Sequence, residues 1–175
     1  ALGVVGLQLA LLAETARTLI DFPPDQDLYQ FIGEQLQQLE GVRFVIVSSF
    51  ESDPEQSRVQ AISGVNRGLD QVLRILGRHP IGLTLPLAEA SRGALITGSL
   101  VEVNGLHELT FGEIPRVVCS TLERTFDLGP MYVMGFAAEG RLFGSAVLIL
   151  HQGGELRNPQ LVEGFMGLAA VALRR

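Results

Sequence analysis

The longest apolar stretch of the chain, 131–150, reads MYVMGFAAEGRLFGSAVLIL, and its only charges, Glu139 and Arg141, flank Gly140. Gly140 can supply the positive φ of a tight reversal, so the pattern predicts a hairpin. Its first strand divides Met131, Val133 and Ala137 from Tyr132, Met134 and Phe136, and its second divides Leu142, Ala146 and Leu148 from Phe143, Val147 and Ile149. Neither strand has a polar face. Such a hairpin must be covered on both sides, which places it centrally in a sheet with helices above and below.

Upstream, Leu2, Val5, Leu9, Leu12, Ala16 and Leu19 recur at spacings of three and four, the seam of a coiled coil, on a helix running to about Ile20. Pro23-Pro24 breaks it, and Asp25 or Asp27 can cap a second helix carrying Leu28, Ile32, Leu36 and Leu39. Val42 to Phe50 alternates as a strand, Ser52 to Ser57 reads as a loop, and Arg58 to Ser63 as a short returning strand. Leu69, Val72, Leu73 and Leu76 mark a third helix ended by Gly77, and Ile81 to Leu87 a strand whose Pro86 suits a sheet edge. Residues 88–111 read either as a small hairpin about Asn104-Gly105 or as a mobile lid. Pro115 opens a further helix with Val118, Cys119, Leu122 and Phe126 on one stripe. Asn158 and Pro159 start the last helix, whose two apolar stripes call for two partners, the sheet and the first helix.

At 175 residues, 47% hydrophobic and 18% charged, the chain suits one domain with an added helix. A net charge of -6, with every one of the 13 basic residues an arginine and none clustered, argues against nucleic acid or an anionic membrane as the main partner. The lack of lysine removes Schiff-base chemistry and a P-loop lysine. One cysteine excludes an internal disulfide and a cysteine-rich metal site, and makes a cytoplasmic location the expectation. The apolar opening, residues 1–13, falls short of the about 20 residues of a membrane span. Starting without Met and ending on Arg174-Arg175 within an apolar helical pattern, the chain is expected to come from a longer protein.

The helix DLYQFIGEQLQQLEG leading into VRFVIVSSF, the turn Gly-Arg-Leu-Phe-Gly-Ser at 140–145 and the ending LVEGFMGLAAVALRR resemble a GAF domain, a sensory relative of PAS modules. The likeness spans roughly Asp27 to Arg175 and is closest to the GAF modules of prokaryotic sensor histidine kinases. It implies an α+β, three-layer fold: a central antiparallel sheet, N- and C-terminal helices on one face, and a pocket-forming layer of helices and loops on the other. Residues 1–22 would be a signalling and dimerisation helix and 23–175 a single GAF domain. Three subgroups are disfavoured. The cyclic-nucleotide signature needs a lysine, the bilin-binding cysteine is usually followed by His whereas Ser120 follows Cys119, and the methionine sulfoxide reductases of this fold need more than one cysteine.

The expected function is therefore a regulatory module, not an enzyme, which binds an unknown small molecule and relays its state to a downstream kinase or other output domain. The alternatives are a ligand-free dimerisation relay, and a haem or redox sensor working through Cys119 or His107. No Ser-His-Asp set, phosphate-binding loop or metal-spaced cluster appears in the sequence. Candidate ligand-binding residues are Arg92, His107, Phe111, Arg116, Cys119, Tyr132, Met134 and Phe136; Arg74 and Arg78 would also border the family's pocket. Alternation alone leaves open whether Tyr132, Met134 and Phe136 face the pocket or the terminal helices. A homodimer is expected through Leu2, Val5, Leu9, Leu12, Ala16, Leu19, Phe165, Leu168 and Ala172, with the domain folding as a monomer once residues 1–20 are removed.

Overall fold

The computed structural model describes residues 3–39, 41–52, 55–65, 68–87 and 89–174. Its strands are β1 (Val42–Ser52), β2 (Glu55–Ser63), β3 (Thr84–Pro86), β4 (Val101–Val103), β5 (Leu128–Ala138) and β6 (Arg141–His151). They form one antiparallel sheet in the order β3-β2-β1-β6-β5-β4. The helices are α1 (Val4–Ile20), α2 (Leu28–Gln37), α3 (Leu69–Leu76), α4 (Glu89–Leu95), α5 (Leu106–Leu109), α6 (Arg116–Thr125) and α7 (Pro159–Leu173). The 131–150 hairpin supplies β5 and β6, and β6 lies between β1 and β5 at the centre of the sheet. Its turn holds both Glu139 (φ 53) and Gly140 (φ 72) in the left-handed region, as a two-residue hairpin turn matched to strand twist requires.

The polar chemistry expected to start helices does so. Asp27 accepts a hydrogen bond from the Gln30 backbone amide at 3.2 Å, and Asn158 does the same for Leu161 at 3.2 Å. Three boundaries differ from expectation. β2 begins at Glu55, because the polar side chains read as a loop pair across the strands: Glu51 accepts from Arg58 Nε at 2.5 Å and from Gln56 Nε2 at 2.6 Å. β3 is only three residues, because Ile81-Gly82 lie in a turn closed by the Leu83 amide on the Pro80 carbonyl at 3.1 Å, although it is an edge strand as Pro86 required. Residues 88–111 contain α4, β4 and α5 in place of a hairpin. Gly105 at φ 142 breaks the chain after β4, and Glu108 reaches back to accept from the Asn104 amide at 3.0 Å, winding the next residues into α5.

Each face of the sheet carries its own core. On the inner face Val45, Val47, Met134, Phe136, Ala146, Leu148 and Leu150 pack with Ile32 and Leu36 of α2 and Val162 and Met166 of α7. On the outer face Phe44, Val59, Met131, Val147 and Ile149 pack beneath α5 and α6, with Leu83, Leu106 and Cys119. Alternation along β5 and β6 thus feeds two cores, except that the ladder slips at Phe143, which packs on the inner core and not with Val147 and Ile149 as alternation placed it. α7 lies between β5 and α1, so its two stripes meet the sheet and the first helix.

That arrangement corrects the dimer seam. Leu19 (2% exposed), Phe165 and Ala172 are buried within the chain, and Leu12, Ala16 and Leu168 are partly buried, Leu12 and Leu168 packing on the inner core. Residues spaced for a coiled coil are used instead to pack α1 on α7. Leu9 alone among the described seam residues is broadly exposed, at 58%; Leu2 and the side chain of Val5 lie outside what the structure describes. Within the chain α1 covers α7.

Candidate functional site

The outer core is incompletely filled. Between the sheet and the layer of α3, α5 and α6 lies a cavity of about 180 Å³. Register fixes its floor. Phe44 and Ile149 are partners, as are Ile46 and Val147, then Ser48 and Ser145, so one face presents an apolar row, another apolar row and a hydroxyl row along the strands. Phe50 and Ser57, partners across β1 and β2, continue the floor. Val72 and Leu76 of α3, Leu122 of α6 and Phe126 just past its end roof it, and Leu95 of α4 closes one flank. Phe44 and Phe126 meet edge to face with centroids 6.1 Å apart, and Arg43 donates to the Phe126 carbonyl, fixing the end of α6 over β1.

Among the described residues the lining carries no Asp, Glu, Lys, Arg or His side chain. Its polar groups are the hydroxyls of Ser48, Ser57, Ser145 and Thr110 and the thiol of Cys119. Thr110 already donates to the Leu106 carbonyl at 2.8 Å. An apolar lining of this kind disfavours burial of an unpaired charge.

The expected site residues separate into four places. Phe111 and Cys119 line the cavity, Phe111 from a left-handed backbone with φ 57. Tyr132, Met134 and Phe136 do not: alternation turns them to the inner core against α7, while Met131 and Val133 face outward. His107 and Arg116 line a separate polar cleft of about 290 Å³ between α5 and α6, with Glu108 and Glu123. Arg92 is outside both, paired with Glu55 at 2.5 Å, and Arg74 and Arg78 are exposed. Cys119 is the wall between cavity and cleft. It is 2% exposed, its Sγ contacts the Ile114 carbonyl at 3.6 Å, and burial, with Glu123 adding to it, pushes its pKa up.

Haem fits this site poorly, since no histidine lines the cavity and His107 opens onto the polar cleft. No group of three or more His, Cys, Asp or Glu that could hold a metal occurs among the described residues, and among these no helix is long and apolar enough to cross a membrane. The sequence reading missed the serines. Their signal was the break in an apolar alternation, Phe44, Ile46, Ser48, Phe50, where a hydroxyl replaces a core side chain.

No protein-family model matches the chain, and no curated protein does. Solved structures do. The GAF domain of an Acinetobacter phosphoenolpyruvate-protein phosphotransferase superposes with a TM-score of 0.65 at 11% identity, over 96% of this chain and 93% of that one. The GAF-B domain of DevS from Mycobacterium smegmatis gives 0.55 at 15% identity, over 84% and 90%. The free methionine-R-sulfoxide reductase of Neisseria meningitidis, solved with its substrate, gives 0.60 at 13%, over 99% and 92%. The fold is a GAF fold. At these identities the likeness establishes architecture and leaves function to the site.

Proposed function

We propose that the chain is a regulatory GAF module that binds a small molecule in the outer cavity and passes its occupancy to α1 and α7, and through them to an output domain such as the kinase of a prokaryotic signalling protein. The observation that carries this is the apolar cavity itself, built on the sheet that bears α7 on its opposite face. Adjacent residues of β6 serve the two sides: Val147 lines the cavity and Leu148 belongs to the inner core with α7. A ligand that favours one curvature of the sheet thereby favours one seating of α7. Its leverage is limited to its difference in affinity for the two arrangements.

A binding role is favoured over a catalytic one because the described lining holds no titratable group except a thiol whose pKa burial raises. A homodimer in the cytoplasm belongs to the same proposal, formed through the outward faces of α1 and α7, where Leu9 and Val171 are exposed. The test is to plug the cavity with Val147→Phe and to follow hydrogen exchange in α1 and α7. Altered protection there, with the fold intact, supports the relay. Unchanged protection in both helices refutes it.

A further inference from the structure

Three buried serines sit in the cavity floor where apolar side chains would ordinarily go. Ser48, Ser57 and Ser145 are 7%, 8% and 8% exposed. Ser48 and Ser145 are direct partners across β1 and β6, and Ser57, opposite Phe50, lies one pair further along on β2. All three are in the cavity lining, and no hydrogen bond joins one of these hydroxyls to another; the buried side-chain oxygen left without a partner among the described residues is Ser63 Oγ, beside Gly33 of α2. In contrast, Ser49 on the other face accepts from Gln60 Nε2 at 2.9 Å. Three hydroxyls together on one wall of an otherwise apolar cavity mark the place of a hydrogen-bonding guest.

The remainder of the lining limits what that guest is. Toward the other end of the strands the floor becomes Phe44 and Ile149, roofed by Phe126, so the cavity is polar at one end and apolar at the other. Among the described residues no charged side chain faces it, and an unpaired ion buried there would pay a prohibitive desolvation cost. The volume, about 180 Å³, exceeds the roughly 150 Å³ of an apolar cavity that accepts benzene. The serine end is closed by main chain: a Cβ on Gly135, the β5 partner of Ser145, would lie 2.3 Å from the Leu95 carbonyl of α4.

We propose that the cavity takes a small uncharged amphiphile of about one ring, its apolar body on the Phe44 end and a single neutral hydroxyl, carbonyl or amide head on Ser48, Ser145 and Ser57. This rests on the small-molecule-binding reading above and gives that site its ligand class. The serine row reads the head, and the lack of a counter-ion excludes acids and amines of the same size.

Toluene, benzyl alcohol and benzoate are isosteric enough to separate body, neutral head and charge, and their binding can be titrated by ligand-observed NMR. Wild-type protein should bind toluene and benzyl alcohol, with benzoate weaker by roughly 100-fold. The double variant Ser48→Ala with Ser145→Ala should weaken benzyl alcohol by about 3- to 10-fold while leaving toluene within about twofold. Ser57→Ala alone is the milder variant if the double one does not fold. Val147→Phe should abolish binding of all three. Benzoate binding as well as benzyl alcohol, equal losses for toluene and benzyl alcohol, or no effect of removing the hydroxyls would overturn the proposal, the last by showing them merely hydrated. If no probe binds the wild type while Val147→Phe still changes exchange in α7, the ligand class fails and the relay stands. If the probes bind as proposed and α7 does not respond, the ligand class stands and the relay fails.

Discussion

Enlarging two adjacent residues of β6 should move stability in opposite directions. Ala146 is 0% exposed in the inner core, whereas Val147 borders the cavity. Val147→Ile adds one methylene and keeps the β-branch, so its only new demand is space. The void provides it, and burying the added group stabilises by up to about 0.8 kcal/mol. At about 24 cal/mol per Å³, the 180 Å³ cavity corresponds to about 4 kcal/mol of packing left unmade, so one methylene uses only a fraction of it. Ala146→Val inserts two carbons where no space exists and should cost about 1–3 kcal/mol, despite the better strand propensity of valine. Urea unfolding at an unchanged m-value measures both, and each kcal/mol should shift Tm by about 2–4 °C for a domain of this size. If Val147→Ile destabilises like Ala146→Val, the outer core is already full, and both the cavity and the functions placed in it fall.

Cys119 should react with thiol reagents slowly in the native protein and fast once it is unfolded, and Cys119→Ala should cost about 1–2 kcal/mol in denaturant titrations. Because burial raises the folded-state pKa of that thiol, its contribution to stability is complete below the ordinary thiol range near about 8.5 and declines as pH rises from there through the folded value; equal pH dependence in the Ala variant would contradict this. Gly144→Ala brings a Cβ to 2.2 Å from the Ser48 carbonyl and should cost at least about 2 kcal/mol by disrupting the β1–β6 pairing, seen as faster amide exchange at Ile46 to Ser49. Deleting residues 1–20 should lower Tm and promote aggregation, since Leu12 and Leu19 cover α7; a monodisperse, equally stable truncation would show that α1 is dispensable.

The order of elements was legible because local signals and tertiary demands agree. The two apolar stripes of α7 called for two partners, and the helix lies between the sheet and α1. The two apolar runs of 131–150, neither with a polar face, called for cover on both sides, and both faces have cores. Legibility failed where one local pattern serves two ends. The spacing Leu9, Leu12, Ala16, Leu19 fits a dimer seam and an intramolecular helix pair alike, and only the location of α7 decides. Residues 88–111 were ambiguous for a related reason: Asn104-Gly105 marks a turn, but a turn followed by Leu-His-Glu-Leu continues as a helix once Glu108 caps it.

The cavity was less legible than the fold, because its composition depends on pairing between distant strands. Alternation divides β5 into two faces but does not say which one meets α7, so Tyr132, Met134 and Phe136 remained as plausible a floor as Met131 and Val133. β2 is a harder case. Read by strict alternation, Ile62, Gln60 and Arg58 share one face and Ala61, Val59 and Ser57 the other. The ladder to β1 instead slips between Val47 and Ser48: Val47 pairs with Ala61, and Ser48 with Val59, leaving Gln60 as the extra residue of a bulge. Ile62 before the bulge and Val59 and Ser57 after it therefore all line the cavity, while Ala61 stays in the inner core. One inserted residue thus carries a serine from the face under the terminal helices to the wall where Ser48 and Ser145 stand. The polarity of the site is set by that slip, which no window of sequence around Ser57 contains.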